Sequence, residues 1–220
     1  MKIGIIGSGP VGRVLAKAFL SEGHEAMLGT RDIKKAEMIK WQQDNPAGKT
    51  GSFEEAARFG DIIVLATAGS VVANAINLAG AQHFSGKIVI DTTNPIASAP
   101  PENGVLKYFT TLEDSLMERI QKQLPDARLV KAFNSVGNGA MYKPVYPGAI
   151  KPSMFICGND EEAKKTVAGI LSAFGWETED MGKAVAARAI EPLCMLWCIP
   201  GFLHNQWTHA FKLLKQPVGK

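Results

Sequence analysis

Three glycines near the N-terminus, in the pattern Gly7-x-Gly9-x-x-Gly12, constrain the fold of this chain more than any other feature. They follow an apolar segment, KIGII, and Gly12 lies at the start of a segment with helical spacing, PVGRVLAKAF. In such a strand–turn–helix unit the first glycine permits the tight turn, and the second lets a ligand approach the backbone. The third allows the helix to pack closely on the strand. We expect a ligand-binding turn here, and an ordinary tight turn is the alternative.

Short β-branched runs alternate with helical patterns along most of the chain, which is typical of a parallel sheet with crossover helices. Strands are predicted at Lys2–Ile6, Glu25–Leu28, Ile62–Ala66, Lys87–Asp91, Arg128–Phe133 and Ser153–Cys157. Helices are predicted at Pro10–Ser21, Ile33–Gln42, Phe53–Phe59, Val71–Leu78, Leu112–Gln123 and Asp160–Phe174. The sequence therefore predicts an α/β fold: a Rossmann-like, doubly wound and mostly parallel sheet over residues 1–182, with a short C-terminal helical appendage over residues 183–220.

Two connections, residues 94–109 and 137–151, are long for a compact domain and indicate binding loops or lids, with solvated insertions as the alternative. Both follow predicted strands, so we expect them at the carboxyl edge of the sheet, where α/β proteins bind ligands. Two pairs of residues have the spacing of a capping box at a helix start: Ser52 with Glu55, and Thr110 with Glu113.

The composition is ordinary for a globular protein, with 46% hydrophobic and 20% charged residues, and together with the features below it predicts a soluble, cytoplasmic protein. The net charge of +3 is too small and too scattered to indicate nucleic acid or a membrane surface as partner. The N-terminus lacks the pattern of a signal peptide, and three cysteines form no disulfide framework. The longest apolar run, residues 192–203, is too short to span a bilayer, and we expect Pro200 to break its helix.

The segment after the second predicted strand indicates which dinucleotide the glycine turn binds. Backbone amides from Ser8 to Val11 are expected to face a pyrophosphate at the helix start. An acid at the end of the second strand would bind an adenosine ribose and repel a 2′-phosphate, but the chain has Gly29 and Thr30 there. Arg31 supplies a bidentate donor suited to phosphate, and Lys35 a second positive charge. We predict NADP(H); an Arg31 paired with a surface carboxylate is the alternative.

Asp32 would then be the N-cap of the next helix.

The segments KIGIIGSGPVG, GTRD..KA and GDIIVLAT resemble the NADP oxidoreductases that depend on 8-hydroxy-5-deazaflavin, coenzyme F420. The resemblance continues in FICGNDEEAKKTV and in DMG......ARAIEPL, and the first half is also similar to the cytosolic NADP-binding domain of membrane metalloreductases. It implies direct hydride transfer between NADP(H) and a deazaflavin or flavin-type ring, with coenzyme F420 or FMN as co-substrate. The cofactor-binding residues it implies are Gly7, Ser8, Gly9, Pro10, Val11, Gly12, Thr30, Arg31, Lys35, Thr67 and Ala68.

Polar residues at the ends of later strands are candidates for positioning the substrates. Asn94, Asn134 and Ser135 follow two predicted neighbouring strands at the crevice, where an amide could bind the nicotinamide carboxamide or a substrate carbonyl. Satisfaction of loop backbone is the alternative. Arg188 and Glu191 are three apart on a helix and are expected to pair with each other, with a contact to the second substrate as the alternative.

The C-terminal segment carries cysteines, histidines and aromatic residues. Cys194, Cys198, His204 and His209 do not have the spacing of a zinc module, so we expect no metal. An aromatic face is predicted to pack against a domain or a second subunit in a homodimer, or to form a wall of the second-substrate pocket; it consists of Trp197, Phe202, Trp207 and Phe211.

The leading hypothesis is an NADP(H)-dependent oxidoreductase whose partner is a small-molecule redox acceptor of the deazaflavin or flavin type. Two alternatives remain open: a reductase of a small carbonyl or imine, and an NADP-binding sensor or partner protein without turnover. No Ser–His–Asp set or paired-carboxylate motif is visible.

Overall fold

The computed structural model describes residues 1–216. Its strands are β1 Lys2–Ile6, β2 Glu25–Gly29, β3 Lys49–Gly51, β4 Ile62–Leu65, β5 Ile88–Asp91, β6 Arg128–Lys131, β7 Ser153–Gly158 and β8 Glu177–Asp180. Its α-helices are α1 Pro10–Ser21, α2 Ala36–Asp44, α3 Phe53–Phe59, α4 Val72–Ala79, α5 Leu116–Gln123, α6 Glu161–Ala173 and α7 Ala187–His204.

The eight strands form one sheet in the order β3-β2-β1-β4-β5-β6-β7-β8. The pairs from β3 through β6 are all parallel, β7 runs antiparallel to β6, and β8 is parallel to β7. The order of the strands reverses between β1 and β4, which leaves a crevice at the carboxyl ends of these two strands. The predicted Rossmann-like, mostly parallel fold is confirmed.

Helices cover both faces of the sheet, and this explains why its central strands are apolar throughout. In β1, Ile5 faces one hydrophobic layer and Ile6 the other, and both side chains are fully buried. In β4, Val64 and Leu65 alternate in the same way. Each such side chain stabilises the fold by about 1.5–3 kcal/mol relative to exposure, so the two layers hold the β1–β4 crevice in place.

The two edge strands, β3 and β8, were not predicted from the sequence. β3 has only three residues, and β8 reads Glu-Thr-Glu-Asp, so neither shows an apolar run. Polar residues are common on edge strands because they discourage pairing with another chain. β6 ends at Lys131, two residues earlier than predicted, and Phe133 there has a φ of 61°.

Two predicted helix starts are wrong by about one turn. Asp32 is not an N-cap: its carboxylate accepts the amide of Lys34 in an Asx turn at 2.9 Å, and α2 follows Lys35. Similarly, α5 begins after Ser115, whose hydroxyl accepts the amide of Glu118, and the Thr110–Glu113 capping box does not form. Aspartate favours both caps and turns, so the sequence alone could not distinguish them. The capping box of Ser52 is confirmed.

Pro200 does not break the C-terminal helix, because α7 continues through Pro192 and Pro200 to a left-handed Asn205. Trp197 and Cys198 are buried just before Pro200, and this packing compensates for the backbone hydrogen bond that proline removes.

Together with a preceding 3₁₀ turn, α7 forms a helix over Ala184–His204. This helix is longer than the apolar run of residues 192–203 that it contains. By length and composition alone this 21-residue helix could cross a membrane, a test that core helices of soluble proteins also pass. Among residues 1–216 it is the one helix that meets this criterion.

Candidate functional site

The glycine turn after β1 is built by close backbone approach. Gly7 has a φ of 126°, which side-chain-bearing residues rarely adopt. A Cβ on Gly12 would lie 1.9 Å from the carbonyl oxygen of Gly7, so α1 packs on the turn only without a side chain there. Gly9 differs from both, because a Cβ built on it meets no atom within 4 Å. Open space at Gly9 is what a bound group approaching the backbone requires.

This difference predicts opposite behaviour for two alanine variants. Gly9 has a φ of −69°, which alanine adopts readily, so Gly9→Ala should change the free energy of unfolding by less than about 1 kcal/mol. It should weaken NADPH and NADH alike by about ten-fold or more, because the methyl group occupies the phosphate approach. Gly12→Ala should cost about 1–3 kcal/mol of stability through overpacking. Urea unfolding and fluorescence titration measure both; a destabilised Gly9→Ala that binds normally would contradict this assignment.

A cleft of about 360 Å³ extends from the glycine turn over the carboxyl ends of β1, β2 and β4. Its lining includes eight of the residues singled out from the sequence: Gly7, Ser8, Gly9, Thr30, Arg31, Lys35, Thr67 and Ala68. The cleft also has an apolar wall from α3, α4 and the turn before α4, which was not predicted from the sequence. It consists of Phe53, Val71, Ala75 and Leu78. These residues looked like ordinary helix-face residues, and only the packing of α3 beside α4 shows that they face a cleft.

The far end of the cleft is positively charged. The Ser8 hydroxyl donates to Thr30 Oγ1 at 3.0 Å and so connects the glycine turn to the end of β2. Arg31 and Lys35 line the cleft beyond Thr30, and within residues 1–216 neither forms an ion pair. Helix α2 starts here without a side-chain cap, so its first amides add positive potential. A phosphate monoester fits this combination of donors.

A second cleft, of about 310 Å³, adjoins the first at Gly9 and at the loop after β4, residues 66–68. Pro10 and Val11 line one side, and residues 92–94 line the other. The Thr67 hydroxyl lies where the two clefts meet and has no hydrogen-bond partner among the described residues. None of the described residues that line this second cleft has a titratable side chain.

Asn94 and Asn134 lie together, as predicted, but they bind each other. Asn94 Nδ2 donates to the carbonyl of Asn134 at 2.8 Å, and Asn134 Nδ2 donates to Asn94 Oδ1 at 3.2 Å and to the carbonyl of Ile190 at 2.9 Å. Asn94 lines the second cleft, whereas Asn134 and Ser135 are buried behind it. Their role in positioning a substrate stays a prediction.

The predicted Arg188–Glu191 pair is wrong, because each side chain has another partner. Arg188 forms two hydrogen bonds with Glu118 on α5, at 2.8 and 2.9 Å, and its guanidinium holds the pKa of Glu118 below the ordinary value. Glu191 is buried, and its carboxylate accepts the amides of Leu116 and Met117 at the start of α5. Both side chains therefore fasten α7 to α5, and their contact with a second substrate stays a prediction.

Glu191 also belongs to a buried charge cluster that the sequence analysis missed. Lys131 Nζ lies 2.7 Å from Asp91 and 2.9 Å from Glu191, and it donates to the carbonyl of Thr93 at 2.8 Å. Burial alone lowers the pKa of Lys131, but the two carboxylates outweigh it and raise the pKa overall. Asp91 in turn accepts the amide and hydroxyl of Thr93. The cluster thus holds the turn that lines the second cleft. In the sequence, the cluster is indicated only by a charged residue at the end of each of two apolar strands, Asp91 in β5 and Lys131 in β6.

The cysteines and the aromatic residues of the C-terminal segment form structural contacts. Cys157, Cys194 and Cys198 are free and buried, and burial raises the pKa of Cys157 to about 12. Trp197 stacks on His209 with ring centroids 5.0 Å apart. Within residues 1–216, no three histidine, cysteine or acidic side chains come together to hold a metal.

Comparisons with known proteins agree with this geometry. The sequence model of the family "NADP oxidoreductase coenzyme F420-dependent" matches residues 2–95. The chain is 29% identical to an F420-dependent NADP reductase of Methanocaldococcus jannaschii, covering 89% of this chain and 90% of that one. It is 30% identical to metalloreductase STEAP3 of Rattus norvegicus over 92% of this chain, but spans only 39% of that protein.

A crystal structure is similar to the chain over nearly its full length. It is of a candidate F420-dependent NADP reductase from Arthrobacter sp. FB24, with a TM-score of 0.91 and 31% identity, covering 98% of this chain and all of that one. The chain therefore belongs to the family of coenzyme F420-dependent NADP oxidoreductases, which have a Rossmann-like fold.

Proposed function

We propose that this protein transfers a hydride between NADP(H) and a deazaflavin or flavin-type acceptor. The single observation that carries the proposal is a crevice with two adjoining clefts, one suited to a phosphorylated dinucleotide and the other free of titratable side chains among the described residues. A flavin-type ring accepts a hydride without a protein acid, because it delocalises the resulting charge and takes its proton from water. Reduction of a carbonyl or an imine instead needs a proton donor beside the substrate.

The residues of the first cleft bind and orient the cofactor. The pyrophosphate lies on the amides of the glycine turn, at the positive end of α1. The adenine packs against Phe53 and Leu78, whose apolar surfaces suit a flat base. Arg31, Lys35 and the start of α2 bind the 2′-phosphate, which only NADP(H) carries.

The second cleft takes the nicotinamide and the acceptor ring. Pro10 and Val11 support one face of the nicotinamide, while Thr93 and Asn94 lie opposite and orient the acceptor. Catalysis is then mainly positioning: two rings are held in contact, so that hydride transfer becomes an intramolecular step.

Steady-state oxidation of NADPH with coenzyme F420, FMN, riboflavin and a panel of cyclic imines and ketoacids tests the proposal. We expect saturable turnover with at least one ring acceptor, and a kcat/KM for NADPH about ten-fold or more above that for NADH. Turnover with an imine or ketoacid alone would contradict the proposed acceptor class. Binding of NADPH without turnover on any acceptor would favour a sensor.

We further propose that the protein acts as a homodimer that uses the exposed apolar side chains of α7. Leu196, Phe202 and Leu203 are each about half exposed, at 55%, 45% and 52%. Exposed apolar side chains so close together are typical of subunit contacts. Light scattering after size-exclusion chromatography should give twice the chain mass, and a monomer at micromolar concentration would contradict this proposal.

A further inference from the structure

A carboxylate lines the positively charged end of the first cleft, which is called the cofactor cleft below. It lies beside the residues that bind the 2′-phosphate in the proposed function. Glu37 is in the first turn of α2, two residues after Lys35, and it shares the cleft lining with Arg31 and Lys35. Its side chain is 73% exposed, so it is not required for packing. A carboxylate at this position opposes a dianionic phosphate, because like charges in one cleft repel over the Debye length of about 8 Å.

Arg13 is the partner of this carboxylate. Its Nη1 lies 3.4 Å from Glu37 Oε2, and its side chain is 30% exposed. Arg13 is in the first turn of α1, where its amide bonds to the carbonyl of Gly9, so the helix fixes it close to the glycine turn. Glu37 forms the wall between the cofactor cleft and a neighbouring cleft lined by Arg13, Lys17 and Lys40. The charge of Arg13 therefore acts at the cofactor cleft through Glu37.

We infer that the Arg13–Glu37 ion pair determines how strongly the protein distinguishes NADP(H) from NAD(H). The inference rests on the proposed binding of NADP(H) in this cleft. Arg31 and Lys35 supply two positive charges to the cleft. The negative charge of Glu37 offsets one of them, and the positive charge of Arg13 in turn offsets that of Glu37. Specificity of this kind combines attraction for one ligand with a repulsive group whose strength is adjusted. Arg13 thus acts by neutralising Glu37, which lines the cleft, and is not itself part of the cleft lining.

A double-mutant cycle on the binding constants tests this inference. Dissociation constants of NADPH and NADH are measured by titrating the full-length protein at low and at high ionic strength. Glu37→Gln should lower the dissociation constant of NADPH by about three- to ten-fold, and Arg13→Gln should raise it by a similar factor. NADH should change less than about two-fold in both variants, because it lacks the 2′-phosphate. Because Arg13 acts through Glu37, the double variant should bind NADPH about as tightly as Glu37→Gln alone, and all differences should shrink at high salt.

Lys17→Gln is the matched control. It removes the same charge from α1 one turn later, from a side chain that lines only the neighbouring cleft. An effect of Lys17→Gln as large as that of Arg13→Gln would overturn the inference, because net charge alone would then explain the result. Equal changes for NADPH and NADH, or no change in any variant, would also overturn it. A parent protein without preference for NADPH would instead refute the proposed NADP(H) specificity itself, and this inference with it.

Discussion

Replacing Arg31 with alanine should weaken NADPH by about 1.5–3 kcal/mol, the contribution of a charge-assisted hydrogen bond, and leave NADH nearly unchanged. Arg31 lines the cofactor cleft beyond Thr30 and forms no ion pair within residues 1–216, so its guanidinium is available for a phosphate. The expected loss corresponds to a Kd about ten- to 150-fold higher. Isothermal titration of both dinucleotides measures it.

Lys34→Ala is the control for this prediction, because Lys34 is exposed in the same turn and does not line the cleft. It should change NADPH binding by less than about three-fold, through the long-range field alone. An Arg31→Ala variant that loses both dinucleotides equally would show that Arg31 supports the turn after β2 and does not recognise the phosphate.

Replacing Lys131 with methionine should destabilise the fold by about 3–5 kcal/mol. The Lys131 ammonium is fully buried and pairs with both Asp91 and Glu191, and methionine would leave both carboxylates buried without a cation. Methionine has a similar length and apolar stem, so cavity formation contributes little to the expected loss. Urea unfolding followed by circular dichroism gives the free energy directly.

Lys165→Met provides the comparison for a lysine paired at the surface. Lys165 lies 2.8 Å from Glu162, but both side chains are more than 70% exposed, so the variant should lose less than about 1 kcal/mol. Similar losses in the two variants would contradict the view that the buried cluster holds β5, β6 and α7 together.

The elements that could be predicted from the sequence are those whose structure is determined by a single short-range pattern. The glycine turn and the buried central strands are examples, because close backbone approach and burial on two faces each leave a clear signal. β3 and β8 lacked such a signal, since a short polar edge strand resembles a loop. Asp32 was assigned as a cap because aspartate stabilises helix starts and turns alike, and only the tertiary position of α2 decides between them.

In the candidate site, too, local sequence patterns predicted some residues and missed those that depend on tertiary contacts. The residues of the glycine turn, from Gly7 to Gly12, could be identified as binding candidates from their spacing. The partner of Arg188 is 70 residues away and that of Glu191 is 60 residues away, so helical spacing suggested a neighbour and missed both. Two further features depend on which helices and strands are neighbours: the apolar wall of Phe53 and Leu78, and the charge cluster around Lys131. The strand order of the sheet determines these neighbours, and no local sequence pattern predicts them.

The most direct test of hydride transfer is a single-turnover experiment with NADPH carrying deuterium at C4 of the nicotinamide. The protein is mixed in a stopped-flow instrument with labelled NADPH and an oxidised deazaflavin, whose carbon C5 keeps a transferred hydride, and the reduced deazaflavin is analysed by mass spectrometry. With a flavin only the rate is followed, because the N5–H of a reduced flavin exchanges with water. Direct transfer predicts that deuterium appears at C5 of the reduced deazaflavin from one of the two C4 positions only, with a primary isotope effect on the rate for either acceptor. Reduced deazaflavin without deuterium from either position, the absence of an isotope effect with every acceptor, or NADPH that binds tightly and is never oxidised would contradict the proposed hydride transfer.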